Sequence, residues 1–353
     1  MTELSDFRAT RFVTSAFEKA KRLLLEPFDA WAWIKLIIIM FFVGSASYSP
    51  NTNYNLGEDD FQPQRGFSTQ EVRDIVSSDW FIYGVIAVIA LIVLLVVAMW
   101  ALRAIFSFVL IDAVSTGDVR IVRPFMDNMR RGLKLFLADF IVRVPLILLG
   151  IIAAVAVILW LYSLIMADPD ALSGSAFYSS LAAFFVAIAC LGCIILPLSL
   201  ALNVVTGFLY DFVAPLMYFR GMGLKAAIGE VWSLIVREPA QFVVYVLLYW
   251  VLQIVTGILL LIPILILVAI FVVFTLACVF LGIALAAVVS WLWVLAAAAF
   301  LIGLALFILA VSAITMPVGV YFRYFSLDFL RSFDPTYVRY APRVLPQAGT
   351  PAP

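Results

Sequence analysis

From Phe242 to Phe322 the chain carries no charged residue. A stretch of that length has no place inside a water-soluble domain. A helix crosses the ~30 Å hydrocarbon core with about 20 apolar residues, so this stretch holds two or three passes. Four further apolar runs precede it: Trp31 to Ser47, Trp80 to beyond Leu110, Leu133 to near Met166, and Ser179 to Tyr218. Hydrophobic residues make up 65% of the chain and charged residues 12%, at a mean hydropathy of +1.14. Soluble domains hold ~45–50% and ~25%. The chain is therefore expected to be an all-α, polytopic helical membrane protein. A polar, amphipathic stretch precedes the first run and no small-residue cleavage site follows it, so that run reads as a retained anchor rather than a signal peptide.

Lysine and arginine gather in alternate segments. Arg8, Arg11, Lys19, Lys21 and Arg22 come before the first run. Arg120, Arg123, Arg130, Arg131 and Lys134 lie between the second and third. Arg220, Lys225 and Arg237 lie between the fourth and fifth, and Arg323, Arg331, Arg339 and Arg343 form the tail. The opposite loops hold Arg65 and Arg73 among the acids Glu58, Asp59, Asp60, Glu71, Asp74, Asp79, Asp168 and Asp170. By the positive-inside rule both termini are cytoplasmic in a cell membrane, which requires an even number of crossings. Six spans follow. Residues Pro263 to Val289 are then an apolar bend, a re-entrant segment, or extensions of the fifth and sixth helices. Trp291 and Trp293 would begin the sixth in the outer aromatic belt, with Trp80, Tyr83, Trp160 and Tyr162, while Trp31 and Trp33 suit the inner one.

The chain also repeats itself. Ala9, Phe12, Val13, Ala16, Phe17, Ala20, Leu23 and Leu24 recur at helical steps, opposite basic residues, up to Glu26-Pro27. Leu224, Ala227, Ile228, Val231 and Ile235 do the same up to Glu238-Pro239, and a shorter version runs from Pro124 to Gly132. The breaks at Pro27, Gly132 and Pro239 are near-evenly spaced, and Tyr218-Phe219-Arg220 echoes Tyr321-Phe322-Arg323. The reading is one membrane domain over 1–340 built as three units, about 8–116, 119–220 and 221–333, each an interfacial amphipathic helix followed by a transmembrane hairpin. A further amphipathic segment is expected over 325–333. Residues 48–79 form an acidic extracytoplasmic loop, and 341–353 a proline-rich disordered tail. The inner helix ends project beyond the bilayer, where Arg103, Asp112 and Asp211 would be wet or interfacial.

Ionisable groups in membrane helices are the default functional candidates. Asp139 and Arg143 are spaced i,i+4 and placed to pair. They read either as a cavity-facing pair or as a structural pair neutralising itself near the interface. With Arg103, Asp112 and Asp211 they make a candidate polar cluster. Tyr245, Tyr249, Gln253 and Thr256 form a polar stripe on the fifth span, and Asn203 stands beside Pro197 and Ser199 on the fourth. Such stripes line a path or bond a neighbouring helix, at ~0.6 kcal/mol per contact. Lys35 is expected to snorkel.

Catalytic and metal chemistry find little to work with. The chain has no histidine, which removes imidazole bases and ligands. Cys190-x-x-Cys193 sits in an apolar run without a second pair, and Cys278 is alone, so neither a zinc site nor a disulfide framework is expected. Nucleophile-elbow, zincin and Walker motifs are missing from the sequence. No catalytic residue, cofactor or metal site is assigned. Lysine plus arginine equals aspartate plus glutamate at 22 each, which gives no electrostatic footprint for nucleic acid.

Four stretches carry a resemblance: Glu26-Pro27-Phe28 after the first amphipathic helix; Arg123-Pro124-Phe125 through Gly132-Leu133; Asp211 through Tyr218; and Tyr324-Phe325-Ser326-Leu327 through Phe333-Asp334-Pro335. In these the chain resembles prokaryotic integral membrane proteins related to the membrane domain fused to some glycerophosphodiester phosphodiesterases. The resemblance implies a prokaryotic membrane protein and no transferable activity, because the phosphodiesterase site requires histidines.

Two functions are weighed. One is a non-enzymatic membrane scaffold or partner-binding module. Its partners are the bilayer, anionic lipids at the basic cytoplasmic helices, and other membrane proteins. The other is a small-molecule or lipid transporter built on repeated hairpins. An ABC-type permease is a weaker third, resting on Ala226-Ala227-Ile228-Gly229.

Overall fold

A computed structural model describes residues 8–26, 28–44, 79–166, 175–288 and 293–340. It is 92% helical with no strand among those residues, and five helices are long and apolar enough to cross a membrane. The chain is thus an all-α, multi-pass membrane protein. The elements are α1 (Arg8–Leu25), α2 (Ala30–Gly44), α3 (Asp79–Thr116), α4 (Val122–Met166), α5 (Ser175–Phe208), a π-helical turn (Leu209–Val213), α6 (Ala214–Phe219), α7 (Leu224–Arg237), α8 (Pro239–Val288) and α9 (Trp293–Arg331). The expected acidic loop, the Asp168–Asp170 loop, Pro27, Trp291 and the tail after 340 lie outside the described residues.

Tertiary packing is concentrated at one end of the bundle. Phe108, Leu110 and Ile111 of α3, Leu36 and Ile39 of α2, Leu216 and Met217 of α6, and Phe325 and Phe329 of α9 are fully buried there. An aromatic cluster holds them: Phe212 lies 5.0 Å from Tyr245 and 5.6 Å from Phe242, and Tyr245 stacks on Phe329 at 4.6 Å. The amphipathic face of α1 closes this core with Ala16, Ala20, Leu23 and Leu24. That face therefore packs against the protein's own helices.

At the other end the helices are open. From Val88 to Val96 every large side chain of α3 is more than half exposed, although successive residues point to all sides of a helix. The remaining long helices meet there as hairpins. Trp160 of α4 stacks on Phe184 of α5 at 3.7 Å, and Phe271 of α8 stacks on Phe307 of α9 at 4.4 Å. Gly303 allows this last approach, because a Cβ there would fall 2.1 Å from the Phe274 ring.

Several expectations change. Gly132 breaks nothing: α4 runs through it without interruption, and the glycine is instead the crossing point with α3. A Cβ at 132 would lie 2.7 Å from the Ile105 Cα, so the missing side chain serves packing. Of the three readings of residues 263–288, extension of the fifth helix holds: they continue α8 as one 50-residue helix with Pro263 inside it. The stretch from Phe325 continues α9, and Phe325, Leu327, Phe329 and Leu330 are buried, so it is interior rather than a surface amphipathic segment. Helix α2 has 15 residues, ~22 Å at 1.5 Å each, shorter than the hydrocarbon core. It lies wholly within the packed end, where Phe42 stacks on Phe106 at 4.4 Å and Met40 meets Gly319.

Candidate functional site

The polar groups of the bundle converge on the π-helical turn. Here the Ala214 N–H bonds back to the Leu209 carbonyl, a five-residue step that widens the helix and turns Tyr210 and Asp211 toward separate partners. Such widened turns recur at functional sites in helical proteins.

On one side stands Asp139 of α4, fully buried. Its carboxylate accepts three hydrogen bonds: from Trp100 Nε1 at 2.7 Å, from the Tyr210 hydroxyl at 2.9 Å and from Arg143 Nε at 2.9 Å. Arg143 also donates to Thr206 Oγ1 of α5 at 3.1 Å. The Arg103 guanidinium of α3 lies over the Tyr210 ring, 4.9 Å from its centre. One carboxylate thus ties α3, α4 and the π turn, with α5 added through the arginine. A buried ion pair is tolerable only when its remaining hydrogen-bonding capacity is filled, and this one is well filled.

On the other side stands Asp211. Its carboxylate accepts from the Tyr245 hydroxyl of α8 at 3.2 Å and lies 3.8 Å from Arg323 of α9. Arg323, nearly buried, donates to the Tyr210 carbonyl at 2.9 Å. A cavity of about 70 Å³ adjoins this pair, lined in part by Asp211, Tyr249, Gln253, Thr315 and Arg323. A water takes ~30 Å³ of liquid volume, so the space holds about two.

The expected cluster and stripe are therefore rearranged. Asp139, Arg143 and Arg103 meet around Tyr210, and Asp211 sits one residue further along with different partners. Asp112 belongs to neither group: it accepts a hydrogen bond from the Tyr218 hydroxyl in a cleft between the α3–α4 turn and α6. None of these groups is simply wet, since Arg103, Asp112 and Asp211 are all partly shielded by protein. Tyr245, Tyr249 and Gln253 reach the Asp211 region. Thr256 bonds its own helix at the Leu252 carbonyl, and Asn203 points outward from α5. Lys35 stays near the ring of Trp31, 6.0 Å away. Cys190 and Cys193 are exposed on α5, and Cys278 is buried.

Three side chains of these networks carried no local signal. Trp100 reads as one more apolar residue, Tyr210 as an interface aromatic, and Arg323 as a tail charge. The only sequence clue was the Pro-then-Tyr-Phe-Arg echo that includes Arg323. A second polar knot was equally hidden. Asp328 of α9 accepts from Lys19 Nζ at 2.6 Å, from Ser15 at 2.9 Å and from Tyr340 at 2.8 Å. The segment after α9 is strapped down beside it. Arg220 donates to Asp334 at 3.2 Å and to Thr336 at 2.9 Å, and Tyr337 donates to Glu230 of α7 at 2.5 Å.

Burial and the Glu230 carboxylate push the Tyr337 hydroxyl up to about 12, desolvation being the larger cause. Hydrogen bonds from the Thr336 backbone and side chain hold Asp334 below its usual value.

No curated protein matches the chain, and no solved structure matches it. A family model described as a family of unknown function, DUF7544, matches residues 7–339. The match takes in all the helices described above and both polar knots apart from Tyr340, and on it the chain belongs to the DUF7544 family.

Proposed function

We propose that this protein is a non-enzymatic integral membrane module: a rigid, packed base carrying apolar helices that make lateral contacts with lipid and with other membrane proteins. The observation that carries the reading is the contrast between the two ends. At the base, the carboxylates of Asp139, Asp211 and Asp328 are each met by protein donors. The space left beside Asp211 is about 70 Å³, far below the ~300–1,000 Å³ of small-molecule sites. At the other end α3 offers apolar side chains on every side.

The topology proposed with it has six crossings and both termini on the cytoplasmic side. Two things support it: the arginine and lysine partition, and the meeting of α1 with the end of α9 through Lys19 and Asp328. Helix α3 begins at the end opposite the packed base, which supports a crossing between Leu25 and Asp79. Helix α2 is the apolar segment proposed to make it. The three-unit repeat goes with this topology. The breaks before α2 and α8 support it, and in the middle unit the surface segment and the span form one helix. Anionic lipids at the outward basic residues of α1 and α7 are proposed partners. The likeness to the membrane domain fused to some phosphodiesterases fits a module without its own catalytic centre.

The test is native mass spectrometry of the gently extracted protein, combined with photo-crosslinkers placed at Ile89 and Leu94. Protein and lipid adducts at these positions are expected, with no solute flux into reconstituted vesicles. A stoichiometric co-purified solute, together with its flux into reconstituted vesicles, would replace this reading by the transporter. A co-purifying ATPase would replace it by the permease. A reporter fused after Pro346 that maps outside would overturn the six crossings.

A further inference from the structure

The cleft that holds Asp112 is a different kind of space from the cavity beside Asp211. It measures about 660 Å³ and opens at the packed end, between the α3–α4 turn, the first turns of α4 and the end of α6. Its size falls within the range of small-ligand sites, and its walls are charged. Three arginines and three aspartates line it: Arg120, Arg123 and Arg131, with Asp112, Asp118 and Asp127.

These six are not equally engaged. Asp118 is gripped by Arg120, with Nε at 2.7 Å and Nη2 at 2.6 Å, and that pair neutralises itself. Arg123 and Asp127 touch only at 4.0 Å and are both mostly exposed. Two groups remain. Arg131 forms no ion pair among the described residues; its Nη1 donates to Asn128 Oδ1 at 3.0 Å. Asn128 is itself buried and donates to the Pro124 carbonyl at 3.0 Å, so the guanidinium is held in place by a fixed neutral group. Asp112 likewise forms no ion pair among the described residues, and its carboxylate is held by the Tyr218 hydroxyl. A positioned guanidinium and a positioned carboxylate thus line one cleft without neutralising each other.

We propose that this cleft binds a phosphate ester carrying a primary ammonium group. The phosphate takes the Arg131 guanidinium, whose planar fork suits phosphate oxygens, and Arg123 turns inward from the mouth to join it. The ammonium takes Asp112. This shared chemistry has two sources, the headgroup of an ethanolamine phospholipid and a soluble phosphoethanolamine. The lipid source has a further argument on the molecule: Val122 and Met126 are strongly exposed on α4 beside Arg123 and Asp127, and give acyl chains an apolar track.

The experiment uses the full chain in maltoside detergent, which brings no phosphate of its own. Binding is read by native mass spectrometry and by the shift in thermal midpoint. The probes are O-phosphorylethanolamine, inorganic phosphate, phosphatidylethanolamine and phosphatidylglycerol. The ethanolamine member of each pair is expected to bind at least tenfold tighter than its partner. Arg131→Gln is expected to weaken it tenfold or more. Asp112→Asn retains an oxygen to accept from Tyr218; it is expected to keep phosphate binding and lose the ethanolamine preference. Binding of the lipid alone assigns the headgroup, and binding of both ethanolamine probes assigns the soluble ester as well. Absence of saturable binding by either ethanolamine probe overturns the proposal. So does equal binding by folded Arg131→Gln, or an ethanolamine preference that survives in Asp112→Asn.

Discussion

Lys19 and Asp328 are 309 positions apart in the chain and 2.6 Å apart in space. This contact joins the first helix to the end of the last. The partners are unequally buried: the lysine side chain keeps 35% of its exposure and the aspartate 3%. Removing either partner is therefore not symmetric. Lys19→Met leaves a buried carboxylate with two hydroxyl donors and is expected to cost about 3 kcal/mol or more. Asp328→Asn leaves a neutral acceptor and a lysine that can turn to water, at about 1–2 kcal/mol. Thermal midpoints in detergent, with tryptic cleavage at Lys21 as a probe of α1 undocking, measure both. Equal midpoints for the two variants would show that the carboxylate is not isolated as described.

Asp139 and Arg143 allow a test of whether the upper knot is structural. Asp139→Leu alone leaves the Arg143 guanidinium without its carboxylate and the Trp100 and Tyr210 donors unpaired, and is expected to cost about 3 kcal/mol. The double change to Leu at both positions removes both charges but leaves the Trp100 and Tyr210 donors unpaired, and is expected to recover part of that loss. Denaturation of the four proteins in a double-mutant cycle gives the coupling. A single variant as stable as the wild type would remove this pair from the account of the fold.

Gly132 and Gly229 should respond oppositely to alanine. At 132 the added methyl meets the Ile105 Cα at 2.7 Å, and backbone cannot swing away as a side chain can. Gly132→Ala is expected to cost about 1–3 kcal/mol as α3 and α4 are forced apart. At 229 nothing lies within 4 Å. Gly229→Ala is expected to stabilise α7 by up to about 1 kcal/mol through helix propensity. Thermal midpoints with the same sign of shift at both positions would contradict the helix crossing.

The strap after α9 should hold only within a window of pH. The folded-state value of Tyr337 is raised above the ordinary 10.0, so its contribution is complete below about pH 10 and is lost as pH rises through about 12. The folded-state value of Asp334 is lowered from 3.8, so its contribution is present above that value and is lost as pH falls below it. Protection of residues 333–340 against hydrogen exchange, taken relative to the intrinsic rate at each pH, is expected to be greatest between these limits and to fall at both ends. Tyr337→Phe should abolish the alkaline loss of protection and leave the acid one. An alkaline limb unchanged in that variant would assign it to another group.

Much of this molecule is written locally in the chain. The apolar runs located all five long helices, the breaks at Glu26 and Glu238 set the ends of α1 and α7, and the i,i+4 spacing of Asp139 and Arg143 anticipated their bond. Each of these depends on residues within a few turns of one another. What was not legible depends on distant partners. Gly132 resembles a helix breaker until Ile105 is placed against it. Arg323 counts as a tail charge until Asp211, over a hundred residues earlier, is seen beside it. The stretch from Phe325 looked amphipathic because its polar side chains are as regular as its apolar ones. In the fold Ser326 and Asp328 are buried too, each with its own acceptor or donor. Pro263 could have marked a bend, yet apolar surroundings leave a chain little to gain from breaking its own backbone bonds, and α8 continues through it.

The open end of the bundle bears on how the molecule meets bilayers of different thickness. The long-range hydrogen bonds named above lie at the base, while beyond Trp100 the helices stand singly or in stacked pairs. Each arm can therefore lean without breaking a bond in the base. A thinner sheet is met by greater tilt and a thicker one by straightening, at fractions of a kcal/mol per ångström of mismatch. Lipid around the arms therefore bears on their tilt directly, because the long-range bonds named above give them no support beyond Trp100.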